Sequence, residues 1–251
     1  MRDLTAARWR ALAPMVERVR PRTGREFCDL RRAFAGVVFR LRTGLPWRDL
    51  PARFGPWQRA WSLRRRWARL GVWDALLGEA RAAARPDLVE VFVDGTTVRA
   101  HQKAAGTRGG SEALGRSRGG LTTKAVAAGP GTWAPRRAGA AARRPAARPR
   151  RRSGLLDALP PGRVRRIVGD RGLSAAWLRQ DVEARGAEAC LPAHPRHPPV
   201  PYRAAYARRH RVENFWARMK EFRAVAARYD KTAAAFRAGI LIAATLDWLK
   251  A

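Results

Sequence analysis

The sequence predicts an α/β protein preceded by an all-α front end, and two observations carry this. Residues 1–86 repeat apolar side chains at helical spacing and hold no run with strand character. Beyond them stand a β-branched run at 88–98 and a strand–turn–helix–strand pattern at 164–191. The length of 251 residues suits one large domain, or one with a small appendage, and is enough to bury a sizeable core. Lys and Arg number 52 against 20 Asp and Glu, a net charge of +32 that implies a polyanionic partner, nucleic acid first. Arginine dominates the excess. With alanine, glycine and proline it marks a GC-rich gene, so part of the charge reflects codon bias. Cys28 and Cys190 form no metal or redox pattern and read as free thiols of a reducing cytoplasm. No signal peptide opens the chain and no run has the length of a membrane span.

The front end begins with a helix over 4–19, with Trp9, Leu12, Met15 and Val16 inward. A basic turn at 21–25 leads to a second helix over 27–41, with Phe34, Val37, Val38 and Leu41 inward. Gly44-Leu45-Pro46 breaks it. A short helix over 47–54, a Gly55-Pro56 turn and a long helix over 57–70 follow, with 72–84 packing behind. This is the order of a helix-turn-helix, and the long helix would offer Arg59, Arg64, Arg65 and Arg66 to DNA. The plainer alternative is a helical bundle with snorkelling arginines. Trp57, Trp61 and Trp67 read as core or core-edge residues rather than base-stacking ones.

The run LVEVFVDGTTV at 88–98 is the clearest strand. Asp94 interrupts its apolar residues, and a carboxylate there needs a partner or a cation unless it sits exposed at the strand end. His101 reads as surface. The glycine-rich stretch 106–120, with Arg108, Arg116 and Arg118, reads as a mobile loop able to lie along phosphates. Residues 125–153 consist almost wholly of Ala, Arg, Pro and Gly, with no acid and no strand alternation, and are expected to be disordered. Two accounts compete: a basic linker touching DNA, or a GC-rich gene read out of frame between two compensating indels. The second is preferred.

A short strand at 164–168 then delivers Asp170 to its carboxyl end, where sites in α/β sheets form; a turn-forming Asp is the alternative. Ser174 caps a helix to 185 with Trp177, Leu178 and Val182 inward, Gly186 ends it, and 187–191 is another strand. His194 and His197, in a proline-rich connector, read as surface. In YARRHRVENFWARMK, Tyr206, Arg209, Glu213 and Lys220 stand at offsets 0, 3, 7 and 14. On one helix these fall within an arc of roughly 60°. Val212, Phe215, Met219 and Phe222 mark the neighbouring core face. A solvated face with ion pairs is the alternative. A strand-borne Asp, a strand-end Asp and a helix-borne Glu are the parts of a two-metal phosphoryl-transfer site. Their hard oxygens suit Mg²⁺ or Mn²⁺, with Arg209 and Lys220 placed to hold phosphates.

These residues resemble the DDE transposases of bacterial insertion sequences, in the branch with the Y-R-E-K signature. Asp94 in FVDGTTVRAH, the GRSRGGLTTK segment, Asp170 in VGDRG and Tyr206-x2-Arg209-x3-Glu213-x6-Lys220 carry the likeness. LRTGLPWRDLPARFGPW, RRWARLGVWDALL and RYDKTAAAF extend it over nearly the whole chain outside 125–153. The resemblance implies a ribonuclease H-like catalytic core over 87–251, behind the helix-turn-helix-like domain of 1–86. It implies Asp94, Asp170 and Glu213 as catalytic metal ligands for two Mg²⁺ or Mn²⁺ ions, and Tyr206, Arg209 and Lys220 as DNA contacts. The partners would be double-stranded DNA, both the element's terminal repeats and the target, and a second copy of the chain or more. The place would be the bacterial cytoplasm at the nucleoid. One departure stands out. The family sets two further strands after GLTTK, where this chain has its Ala/Arg/Pro run. Asp94 would then lie on a strand without its hairpin neighbours, in a degenerate copy of weak or no activity. The rival readings are a non-catalytic basic DNA-binding protein acting through its front end and, disfavoured for want of an RNA-module motif, an RNA-binding protein.

Overall fold

Capping and apolar spacing fix the front end. In the computed structural model, α1 spans Ala6–Val19, with the Thr5 hydroxyl accepting the Arg8 N–H at 3.2 Å. α2 spans Leu30–Thr43 and is capped by Asp29, whose carboxylate accepts the Arg32 N–H at 3.0 Å. Residues 4–23, 27, 29–84, 89–105, 113–130, 139–143, 156, 159, 162–170, 176–192, 203–208 and 210–249 are described. The expected helix over 47–54 is instead two 3-10 turns, Trp47–Asp49 and Ala52–Phe54. Pro51, inside the expected run, has no N–H for a continuous α-helical ladder. α3 spans Trp57–Arg69 and α4 spans Val72–Ala84. Trp67 and Trp73 lie in the core with ring centroids 4.9 Å apart, and Phe34 touches both. Trp57 is half-buried and Trp61 is exposed, the two meeting edge to face at 6.4 Å. At Gly36 a Cβ would come within 3.2 Å of Ala60 and Phe54, so the glycine lets α2 and α3 approach closely.

β1, Glu90–Ala100, is the centre of a seven-stranded sheet. β3, Gly120–Pro130, runs antiparallel to it in register from Val91↔Pro130 to Arg99↔Thr122. On the far edge of β3 lie β2, Gly115–Ser117, and β4, Gly139–Arg143. On the other edge of β1 run β5, Arg166–Gly169, and then β6, Glu188–Cys190, both parallel. The two-residue β7, Ala227–Arg228, continues that edge.

Two expectations are corrected here. Residues 125–130 and 139–143, read as disordered, are strands, and Asp94 keeps its hairpin neighbours. An antiparallel ladder is built from backbone groups, which alanine supplies as well as valine does. Ala125 and Ala127 are buried under large side chains of the neighbouring layer, so small residues fill the space. Likewise 115–120 is not loop: it forms β2, its tight turn at Arg118-Gly119 and the start of β3. Residues 106–112, 131–138 and 144–153 lie outside the described residues.

The sheet separates two cores. Val91, Val93, Ala128 and Ile167 pack with Leu178 and Val182 of α5, Ala176–Glu183. Phe92, Val98, Ala125, Ala127 and Val168 face the larger core. That core takes in the front-end helices together with α6, Arg203–Ala207, α7, His210–Lys220, α8, Arg223–Ala226, and α9, Ala233–Trp248. α9 is buried from Phe236 to Trp248 on nearly every side, as expected of a helix that is apolar all round. It lies against α2, α3, α4 and α7.

A polar clamp joins the front end to the rest. Arg64 of α3 is 3 % exposed and grips Asp230 with both ends of its fork, at 2.8 and 2.6 Å, while also donating to the Ala235 carbonyl at 2.7 Å. Arg228, fully buried, donates to the Asp230 carbonyl at 2.9 Å and to the Thr123 hydroxyl of β3 at 2.7 Å. At Gly239 a Cβ would stand 3.2 Å from Arg64 Nη2, so α9 passes close enough only with glycine there. Arg64, expected to face DNA, is therefore turned inward. A cation with its fork on a buried carboxylate has no reason to face water.

Arg40 sits beside this clamp, over the Trp47 ring at 5.2 Å. Burial and then the Arg64 charge push its guanidinium down to about 10, and its Nε and Nη1 have no hydrogen-bond partner. Arg40→Met keeps the stem and removes a buried cation with two unsatisfied nitrogens. It is expected to be neutral or to stabilise by roughly 1–3 kcal/mol, read from the urea midpoint.

Candidate active site

Parallel pairing of β1 with β5 ends at Val93↔Gly169. Asp94 and Asp170 are the next residues on those two strands, so the two carboxylates spring from neighbours spaced ~4.8 Å apart. Asp94 remains inside β1, opposite Ala127, and is 7 % exposed. By alternation it shares the face of Phe92 and Val98, which looks into the larger core. The Oδ1 atom of Asp170 is shut off from water and has no hydrogen-bond partner. A carboxylate oxygen left this way is costly unless a cation approaches it, so the donor chemistry fits a hard divalent ion.

α7 packs against β1 and places Val212, Phe215 and Met219 inward, with Phe222 following, as their spacing requires. Glu213 and Lys220 face out and are exposed. Seven residues apart on one helix, they lie within about 20° of each other. Among the described residues no three His, Cys, Asp or Glu side chains converge on one point, so Asp94 and Asp170 are brought together and Glu213 is not drawn onto them.

The single helix expected over 206–220 is two. α6 ends at Ala207, the Arg208 N–H turns back to the Ala205 carbonyl at 3.2 Å, and α7 opens at His210. The four-residue line down one helix face is corrected accordingly. Glu213 and Lys220 keep it; Arg209 and the Tyr206 side chain lie outside what is described. The break is pinned from below. Arg208 Nη2 reaches both carboxylate oxygens of Glu90 at 2.7 Å, and Arg166 adds a third contact at 2.7 Å. Burial pushes the Glu90 carboxyl up, but hydrogen bonds and charge from these two arginines outweigh it and hold it below its ordinary value. Glu90 thus ties the start of α7 to the first residue of β1.

The remaining candidates divide. Arg59 and Arg65 are exposed on α3, with Arg65 over the Trp61 ring at 5.1 Å. Arg66 is half-buried and donates to the Thr23 carbonyl at 2.6 Å. Arg116 on β2 and Arg118 in its turn are exposed. His101, read as surface, is half-buried and stacked on Tyr229 at 4.7 Å. Cys190 is free and buried, and burial pushes its thiol up. Cys28, Ser174, His194 and His197 lie outside the described residues. Sequence reading missed Glu90, Arg208, Arg228 and Asp230. Asp230 alone gave a signal, as a single acid in the basic run RYDK.

Comparison with known proteins identifies the family. Residues 4–77 match the family model described as "Putative transposase of IS4/5 family", and residues 167–250 match the model of the transposase DDE domain. The chain is 37% identical over 102 residues to the insertion element IS402 uncharacterized 16.2 kDa protein of Burkholderia cepacia, covering 37% of this chain and 69% of that one. It is 42% identical over 72 residues to the uncharacterized protein y4sN of Sinorhizobium fredii (strain NBRC 101917 / NGR234), covering 29% of this chain and 56% of that one. No solved structure matches. The fold and site are those of a mixed α/β protein with a helical front end and a carboxylate-bearing sheet. The chain belongs to the DDE transposases of bacterial insertion sequences. Proteins of this family act on DNA, and their DDE domains use divalent metal ions. Among the described residues no helix is long and apolar enough to cross a membrane.

Proposed function

We propose that this chain binds the ends of its insertion sequence and cuts and joins DNA there, with Asp94, Asp170 and Glu213 as the catalytic carboxylates. The observation that carries the reading is the placement of Asp94 and Asp170 side by side at the end of the central parallel pair. The strand order β2–β3–β1–β5–β6, with β3 antiparallel and β5 and β6 parallel to β1, supports a ribonuclease H-like core over 87–251. Two Mg²⁺ or Mn²⁺ ions, when held by Asp94, Asp170 and Glu213, supply Lewis-acid activation of a water or sugar hydroxyl and neutralise charge on the leaving oxygen. Lys220, on the outer face of α7 with Glu213, meets a neighbouring phosphate, and Tyr206 and Arg209 serve as further DNA contacts. Residues 1–86 read the terminal repeats through α3, where Arg59, Arg65 and Arg66 meet DNA and Arg64 does not. Arg116 and Arg118 hold DNA phosphates. Bringing two ends together asks for at least a homodimer at the nucleoid. The pairing of β3 along β1 supports an intact strand around Asp94.

The exposed position of Glu213 favours a second reading, a non-catalytic DNA-binding protein. One assay separates them: purified chain, a duplex carrying the element's own end, and Mn²⁺ or Mg²⁺. Metal-dependent nicking at the element boundary supports the transposase; metal-independent, salt-sensitive binding with no nicking supports the rival. In the same preparation Arg59→Glu with Arg65→Glu is expected to weaken binding to every duplex and to lower the salt slope by roughly one per lost phosphate contact. An unchanged slope would remove α3 from the interface.

A further inference from the structure

Among the described residues no helix covers the second face of the sheet along its whole length. α5 covers Val91, Val93 and Ala128, but further along β1 on that same side Gly95, Thr97 and Arg99 are exposed. Their partners on β3 are Val126, Lys124 and Thr122, and Lys124 is exposed too. Arg99 and Lys124 are diagonal neighbours on the ladder, with Cβ atoms about 7–8 Å apart. The Arg99 guanidinium reaches the turn at Arg118-Gly119, where a Cβ on Gly119 would stand 3.3 Å from its Nη2. Arg118 adds an exposed cation there. None of Arg99, Arg118 and Lys124 makes an ion pair with a described residue. Elsewhere in the molecule arginines such as Arg166, Arg208 and Arg218 are matched to acids. The floor between the cations is small, Gly95 and Thr97, so a broad polyanion can approach the backbone closely.

We infer that this open face holds a DNA duplex by its phosphates. Asp94 lies on the opposite face of the same strand, so this duplex is not the one placed at the carboxylates. The chain therefore carries two duplexes, one on each side of its sheet. This rests on the reading of the chain as a DNA-acting protein. Charge complementarity and an uncovered, small-residue floor select a duplex backbone rather than an apolar partner.

Native mass spectrometry of the full chain with a short duplex of arbitrary sequence, at low salt, counts duplexes per chain. Two are expected for the wild type. Arg99→Glu with Lys124→Glu should leave one, with the second binding weakened at least about tenfold and the salt slope lowered by roughly two. Both residues are exposed, so the thermal midpoint should hold. Arg10→Glu with Arg31→Glu, an equal change in net charge on exposed helix positions, should keep two. Two duplexes on the sheet variant, or one on the control, would overturn the inference. A wild type that takes one duplex overturns it and leaves the DNA reading standing; a wild type that takes none overturns both.

Discussion

Asp170→Asn is expected to abolish metal-dependent cleavage of element-end DNA while making the DNA-free protein more stable. The two effects have one origin. Asp170 Oδ1 is buried without a donor, so in the absence of a cation the carboxylate is a liability to the fold. Asparagine keeps the shape and removes the charge. Its amide still lacks partners there, so the stability gain should stay under the ~1–3 kcal/mol cost of a wholly unsatisfied buried polar group. The loss of cleavage should be about three orders of magnitude or more, since a metal's Lewis-acid contribution is worth several kcal/mol and each 1.36 kcal/mol is tenfold. Asp94→Asn should match the loss of cleavage, and neither substitution should change DNA affinity at fixed salt. A urea melt and a nicking assay on the same samples read both signs. Cleavage that survives in Asp170→Asn would remove it from the site; a loss of stability would mean that its oxygen is satisfied within the fold.

Much of this arrangement was legible before the structure, and the illegible parts share a cause. α4 and α3 follow their apolar spacing to within a residue, because an amphipathic helix writes its core face into sequence. β1 was legible from its β-branched residues, and Asp94 from being the odd carboxylate among them. β3 and β4 were not, because their pairing lies in backbone groups that leave no mark on an alanine-rich run. Arg64 looked like its neighbours Arg65 and Arg66, since nothing local reveals a carboxylate 166 residues away. The break between α6 and α7 was invisible for the same reason. The contact that holds it, Arg208 to Glu90, spans 118 residues.

The Arg64–Asp230 clamp should be the costliest polar contact in the fold to cut. Asp230→Asn or Arg64→Ala removes one partner of an ion pair whose side chains are 4% and 9% exposed, and is expected to destabilise by roughly 3–5 kcal/mol. Such a loss is a large share of the ~5–15 kcal/mol that holds a typical domain together. The cost comes from the survivor. With Asp230 neutral, Arg64, Arg40 and Arg228 are left as three buried guanidiniums with no counter-charge in the clamp. Burial alone would push the Asp230 carboxyl up, but the charge and hydrogen bonds of Arg64, then Arg40 and Arg228, outweigh it and hold it below its ordinary value. Stability from this group is therefore complete at any pH above the ordinary carboxylate range. It is lost only as pH falls through the lowered value. Urea melts of wild type and Asp230→Asn should thus differ most near neutral pH and converge in acid. The double substitution Arg64→Met with Asp230→Leu separates stability from placement. A well-packed apolar pair should recover most of the lost free energy. If the ion pair also fixes how α3 sits against the sheet, hydrogen exchange in α3 and β3 should stay faster than in wild type even where the melting midpoint is restored. Equal exchange would reduce the clamp to one more buried contact.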